Sequence, residues 1–210
     1  MQIHNIILGD YQTNSYCVTA NEDAADCLVI DTGLSPQPLI DFIKEKNLNP
    51  IAVILTHGHA DHIAGLNLLR ENWPDIKVAI HVQDADMLND TQANLSALTG
   101  ASFETEPADI IIEEDGPIEF AGIKFDVMHT PGHTQGGICL YAKDDGILFA
   151  GDTLFAMSIG RTDFPGGSMG QLIEGIKKKL CPLPDETVVY PGHGPGTTIE
   201  REKISNQYLR

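Results

Sequence analysis

Apolar positions in this chain follow two rhythms. Short runs alternate or fill completely, and longer stretches repeat every three to four residues. The short runs predict strands at 2–8, 13–20 and 27–31, and again at 51–55, where IAVIL is apolar throughout, as in a strand buried on both faces. Further strands are expected at 77–81, 109–112, 117–120, 122–128, 138–142, 146–150 and 187–190. The helical rhythm predicts helices at 36–46, 61–72, 83–89, 168–180 and 198–206. Ser35 is the expected N-cap of the first helix, with Pro36 at its first position. Lys177, Lys178 and Lys179 close the fourth, where cations suit the negative end of the dipole. The polar stretch 90–107 fits neither rhythm. Both halves run strands first and helix after, which hints at a pseudo-repeat, and no linker separates them. One domain over residues 1–210 is expected.

Charge narrows the partners. The 210 residues carry 13 Lys and Arg against 30 Asp and Glu, a formal net charge of −17. Nucleic acid and anionic membrane both need clustered cations, so neither is an expected partner. No apolar run approaches the ~20 residues of a membrane span, and the first residues show no basic segment leading into an apolar one. Cys17, Cys27, Cys139 and Cys181 lie far apart and form no C-x-x-C pair. They read as small buried hydrophobes in a reducing, cytoplasmic setting.

Candidate metal donors recur just beyond the apolar runs. IAVILT leads to His57, His59, Asp61 and His62, and FDVMHT leads to Pro131, Gly132 and His133. ILFAG leads to Asp152, TVVY to Pro191, Gly192 and His193, and LVI to Asp31, Thr32 and Gly33. Loops beyond the carboxyl ends of strands gather at one edge of a sheet, so five such loops can share one site. Imidazole and carboxylate suit zinc and similar divalent ions. The run H-G-H-A-D-H at 57–62 packs four donors into six residues. On a helix they would fan around the axis; on a loop entering a helix they can face two adjacent ions. Asp152 has two oxygens and could bridge such ions, which an imidazole cannot do in this way. His4, His81 and His129 lack this setting and are expected to be structural.

The motifs T-H-G-H-A-D-H at 56–62, T-P-G-H-T at 130–134, G-D-T at 151–153, P-G-H-G at 191–194 and D-T-G at 31–33 resemble those of the metallo-β-lactamase superfamily, in the same order. The resemblance implies an α/β fold, an αββα four-layer sandwich with its site at one edge of two facing sheets. It implies two divalent metal ions, zinc foremost, with iron or manganese as other candidates. His57, His59 and His133 would hold one, Asp61, His62 and His193 the second, and Asp152 would bridge them. The segment G-R-T-D-F-P-G-G at 160–167 is similar to the glyoxalase II (hydroxyacylglutathione hydrolase) branch, in its short bacterial form. That implies a small-molecule thioester substrate, such as S-lactoylglutathione, cleaved by a hydroxide that the metals generate. Asp61 would either serve also as a proton acceptor or act as a ligand alone. Persulfide dioxygenases, with one working iron, carry a closely similar segment and are the alternative. The short stretch after His193 offers only Arg201, Lys203 and Arg210 as basic groups, a departure from long glyoxalase II enzymes that bears on glutathione binding. Asp152 stands where class B β-lactamases would offer a cysteine, which argues against β-lactam cleavage. Asp31 either orients a ligand imidazole or forms a turn before Gly33. Arg161 and Asp163 either pair at the pocket rim or leave Arg161 to meet a substrate carboxylate. Phe155, Met157 and Phe164 read as core.

Overall fold

The computed structural model describes residues 1–98 and 102–210. Its strands and helices occur in the order β1 (Gln2–Leu8), β2 (Thr13–Thr19), β3 (Asp26–Ile30), α1 (Gln37–Glu45), β4 (Asn49–Ile54), α2 (Ala60–Ile63), α3 (Leu66–Asn72), β5 (Lys77–His81) and β6 (Ile110–Ile112). The second half contributes β7 (Gly116–Phe120), β8 (Ile123–His129), β9 (Ile138–Ala142), β10 (Ile147–Gly151), β11 (Leu154–Phe155), β12 (Ser158–Ile159), α4 (Met169–Gly175), β13 (Val188–Pro191), β14 (Thr197–Thr198) and α5 (Ile199–Ser205).

Two six-stranded sheets form, one from β1 to β6 in sequence order, the other in the order β14-β13-β10-β9-β8-β7. Each begins as an antiparallel meander and turns parallel: β3 pairs parallel with β4, and β10 with β13. Period-two alternation splits each strand between two cores. Leu28 and Ile30 of β3 face a core shared by the two sheets, together with Tyr16, Phe125, Leu140 and Phe149. Cys27 and Val29 of the same strand face a second core capped by Leu39, Ile40 and Ile43 of α1 and Leu66 and Leu69 of α3. Cys139 and Tyr141 of β9 face a third, with Leu172 of α4, Ile176, Leu180 and Ile199. Three apolar interfaces between four layers make an αββα sandwich.

Several local expectations change. Ser35 does not cap α1: it sits at φ 55°, and Pro36 takes the cap position without a side-chain hydrogen bond. The stretch 61–72 is two helices, α2 and α3, and at the break Thr32 takes the bonds a continuous helix would make: its N–H and hydroxyl donate to the His62 carbonyl, and its hydroxyl accepts from Gly65 N–H. The predicted helix at 83–89 is a 3-10 helix, Val82–Asn89. The fourth helix starts at Met169, capped by Ser168, and loosens into a π turn over Ile176–Leu180. The hairpin β11–β12 carried no usable signal, since two-residue strands lie below any periodicity. The four cysteines are free thiols, three of them buried. No helix among the described residues is long and apolar enough to cross a membrane.

Candidate metal centre

Each predicted donor sits just past the carboxyl end of a strand: Asp31 after β3, His57 to His62 after β4, His133 after β8, Asp152 after β10 and His193 after β13. The two sheets bring these ends to one rim. Thr56 accepts the Ile138 N–H at 2.9 Å, joining the loops after β4 and before β9. On the other side, Asn14 Nδ2 donates to the carbonyls of Pro191 and Gly194, each at 2.9 Å, and the Tyr16 hydroxyl donates to Pro191 at 2.6 Å. These bonds tie the His193 loop to β2.

The seven donors converge. His57, His59 and His133 form one group, Asp61, His62 and His193 a second, and His57, His62 and Asp152 a third between them, each with ligand atoms within 4.8 Å of one another. His59 Nδ1 lies 2.9 Å from His133 Nε2, and His62 Nε2 lies 3.3 Å from His193 Nε2. Asp152 spans the two groups: Oδ1 is 3.5 Å from His62 Nε2, while Oδ2 is 3.5 Å from His133 Nε2 and 3.6 Å from His193 Nε2. Asp61 Oδ2 is 3.1 Å from His193 Nε2.

The imidazoles are held from behind. The Thr56 hydroxyl donates to Asp31 Oδ2 at 2.7 Å and is left to accept from His57 Nδ1 at 3.2 Å, which leaves the Nε2 lone pair facing the cluster. His62 Nδ1 bonds Asp31 Oδ2 at 2.9 Å, His133 Nδ1 bonds the Arg161 carbonyl at 2.8 Å, and His193 Nδ1 bonds the Tyr11 carbonyl at 3.0 Å. Asp31 therefore orients an imidazole, and it also forms the turn, at φ 56°.

Donor chemistry fits divalent cations. Buried polar atoms ordinarily find partners, yet His57 Nε2 and Asp152 Oδ1, both aimed at the cluster, have none. Burial and the neighbouring imidazoles push His57 well below the usual histidine range and His59 down to about 3, so both are neutral and able to ligate. Burial alone would lower His62, but Asp61, Asp31 and Asp152 outweigh it and raise it to about 10. Burial would raise Asp61, but His62 and His193 hold its carboxyl below the usual range. Against burial, Asp61 and Asp152 raise His193. Gly132, at φ 134°, packs against the Leu172 backbone at the start of α4, a place where any side chain would collide.

Asp84 completes the framework, and nothing in the sequence pattern marked it. It is fully buried in the 3-10 helix. Its Oδ2 accepts from Gly58 N–H at 3.0 Å and the Thr134 hydroxyl at 2.6 Å, and its Oδ1 accepts from Gly136 N–H at 2.6 Å. One carboxylate thus fastens the loop of His57 and His59 to the loop of His133. The decoys stay apart: His4 packs on Phe42, and His81 stacks on His129 with ring centroids 4.0 Å apart.

The cluster forms the floor of a cavity of about 470 Å³, a size usual for small-molecule sites. Phe155 and Phe164 line it rather than the core, and Met157 is exposed, contrary to expectation: the β11–β12 hairpin turns Phe155 and Met157 outward, and Phe164, beyond it, packs under the Arg161 guanidinium. Tyr11, Leu95 and Leu98 also line it and gave no sequence signal. Arg161 and Asp163 make a two-pronged ion pair at the rim, with both bonds at 2.8 Å. A larger cleft of about 850 Å³ beside α3 contains no convergent donors, and Arg70 there is tied to the carbonyls of Glu106 and Pro107.

Comparison with known proteins agrees with this geometry. Probable metallo-hydrolase YqgX of Bacillus subtilis is 38% identical over all of this chain and 98% of that protein. Hydroxyacylglutathione hydrolase GloC of Haemophilus influenzae is 33% identical over all of this chain and 98% of that protein. Among solved structures, BLEG-1 B3 metallo-beta-lactamase is 38% identical with a TM-score of 0.94, covering 99% of both chains. TTHA1623, crystallised in a di-iron-bound form, is 35% identical with a TM-score of 0.85, covering 98% of this chain and all of that one. ETHE1 of Myxococcus xanthus is 28% identical with a TM-score of 0.80, covering 99% of this chain and 84% of that one. The family model of the Metallo-beta-lactamase superfamily matches residues 8–193, from the end of β1 to the last imidazole of the cluster, and the chain belongs to that superfamily.

Proposed function

We infer that this metal-dependent hydrolase cleaves thioesters at a two-metal centre, in the manner of the glyoxalase II branch. The observation that supports this most is that both donor groups are complete, with Asp152 between them: Oδ1 faces His62, and Oδ2 faces both His133 and His193. In this reading His57, His59 and His133 would hold one cation and Asp61, His62 and His193 the other, with Asp152 in reach of both. Zinc suits a tetrahedral nitrogen and oxygen set, and the di-iron form of TTHA1623 makes iron the leading competitor. Two such cations supply water of lowered pKa and a polarised carbonyl.

The chain's own groups do the rest. Asp31 and Thr56 orient His62 and His57 from behind, so the Nε2 atom of each faces inward. Asp61 and Asp152 both line the cavity, with side chains 21% and 11% exposed, and in this reading Asp61 accepts the proton of the attacking water. In the net reaction a C–O bond forms to the acyl carbon, the C–S bond breaks, and a carboxylic acid and a thiol result. A thiolate leaves readily, so no strong acid is required on the leaving side.

One preparation tests the reading. Metal content is measured before any metal is added, and the protein is then offered S-lactoylglutathione, glutathione persulfide with an oxygen electrode, and a chromogenic β-lactam. Two divalent ions per chain and thioester cleavage without oxygen uptake are expected. One iron per chain with rapid oxygen uptake would replace this reading by a persulfide dioxygenase, to which the likeness to ETHE1 lends support. β-Lactam cleavage faster than thioester cleavage would replace it by the activity that BLEG-1 is named for.

A further inference from the structure

The donors form the cavity floor, but its walls are hydrocarbon. Tyr11, Leu95, Leu98, Phe155 and Phe164 stand around the imidazoles. Leu98 is 73% exposed and Tyr11 54%. Apolar side chains around a polar floor are usual for ligand-binding pockets. Positive charge at the rim is sparse and partly neutralised. All 13 Lys and Arg residues fall within the described positions, and of them only Arg161 lines the cavity. Its guanidinium is already engaged, donating through Nε and Nη2 to Asp163 and lying 4.0 Å from the Phe164 ring centre. That two-pronged pair uses the Nε–Nη2 edge, one of the two by which a guanidinium grips a carboxylate. A formal net charge of −17 adds a field that repels anions.

We propose that the acyl-thiol taken by this site is uncharged and apolar, a medium-chain or aromatic acyl group on a thiol carrier with no carboxylate near the sulfur, bound by the collar of Tyr11, Leu95, Leu98, Phe155 and Phe164. This rests on the thioester-hydrolase reading and narrows it: glutathione, with two carboxylates, is a poor carrier for such a mouth.

The test uses the metal-loaded protein and a matched set of thioesters. Acetyl, butyryl and hexanoyl groups are each placed on N-acetylcysteamine, which is neutral, and on glutathione. Each added methylene is expected to raise kcat/KM up to fourfold, the equivalent of ~0.8 kcal/mol. Hexanoyl should exceed acetyl by tenfold or more, and the neutral carrier should equal or surpass glutathione for every acyl group. A flat acyl series, or a tenfold advantage for glutathione, would overturn the proposal. Leu98→Asp should flatten the chain-length dependence; an unchanged slope would remove Leu98 from the collar. Asp163→Asn, at an exposed position, frees Arg161 and should raise the ratio of glutathione to neutral carrier at least threefold; no change would mean the ion pair does not exclude glutathione. Binding of the unreactive thioethers S-hexyl-N-acetylcysteamine, S-methyl-N-acetylcysteamine and S-hexylglutathione, by calorimetry, reads the collar without turnover. If no thioester is cleaved but hexyl still binds tenfold tighter than methyl, the hydrolase reading fails and the apolar collar stands. If thioesters are cleaved with no hexyl preference, the hydrolase reading stands and the collar fails.

Discussion

Asp31 Oδ2 lies 2.9 Å from His62 Nδ1, and the same oxygen takes the Thr56 hydroxyl at 2.7 Å. One buried carboxylate therefore sets the tautomer of two imidazoles that face different sides of the cluster. Asp31→Asn can present a donor where His62 needs an acceptor. Metal affinity is expected to fall about 10–100-fold, most at the group containing His62. Metal-buffered titration checks this, and unchanged affinity would leave Asp31 only its turn.

Asp84 acts on the other pair of loops. Its carboxylate accepts three bonds, and buried bonds to a charged group each contribute ~1.5–3 kcal/mol. Asp84→Asn keeps the volume and loses at least one acceptor. A loss of roughly 2–4 kcal/mol in stability is expected, together with weaker binding at His57, His59 and His133. Denaturant unfolding and a cobalt titration followed by absorption measure the two effects separately.

Asp152 is the residue whose removal separates one shared centre from two independent ones. Its buried Oδ1 has no partner. Asp152→Ala is expected to abolish turnover and to lower metal content toward one ion per chain. Full turnover with two ions retained would end its bridging role.

In the metal-free protein His62 titrates at about 10, above its ordinary value of 6.5. A raised histidine pKa stabilises the fold fully below the ordinary value, and that contribution is lost as pH rises through the folded value. A cation must also displace this proton. Chelator-stripped protein should therefore lose thermal stability between about pH 6.5 and pH 10, while apparent metal affinity climbs, by up to about tenfold per unit. Melting curves across that range, and proton release measured in buffers of different ionisation enthalpy, check both directions.

Much of this was legible along the chain. The donors of the cluster were readable because chemistry and position coincide: small-residue loops such as H-G-H-A-D-H follow strongly apolar strands, and imidazoles in such loops have little else to do. The cores were readable because β-sheet side chains alternate, so Leu28 and Ile30 declare one face while Cys27 and Val29 declare the other. Where the prediction missed, short range was the cause. Ser35 had the right chemistry for a cap, but the chain enters α1 through a left-handed turn that its residue type does not reveal. The expected helix breaks before Gly65 because a segment distant in sequence, at Thr32, takes the His62 carbonyl and the Gly65 N–H.

Asp84 and the apolar collar were out of reach for the same reason. An acid in a short polar segment looks solvated until three donors from residues 58, 134 and 136 close on it. Tyr11, Leu95, Phe155 and Phe164 are scattered over about 150 positions and become one wall only when the sheets stack. By itself, then, the sequence determined which atoms can bind cations and which strands carry them, since donor type and hydrophobic period are local properties. Only the tertiary structure decided how those atoms meet, what holds them and what surrounds them, because convergence depends on the packing of two sheets whose contacts span the whole chain.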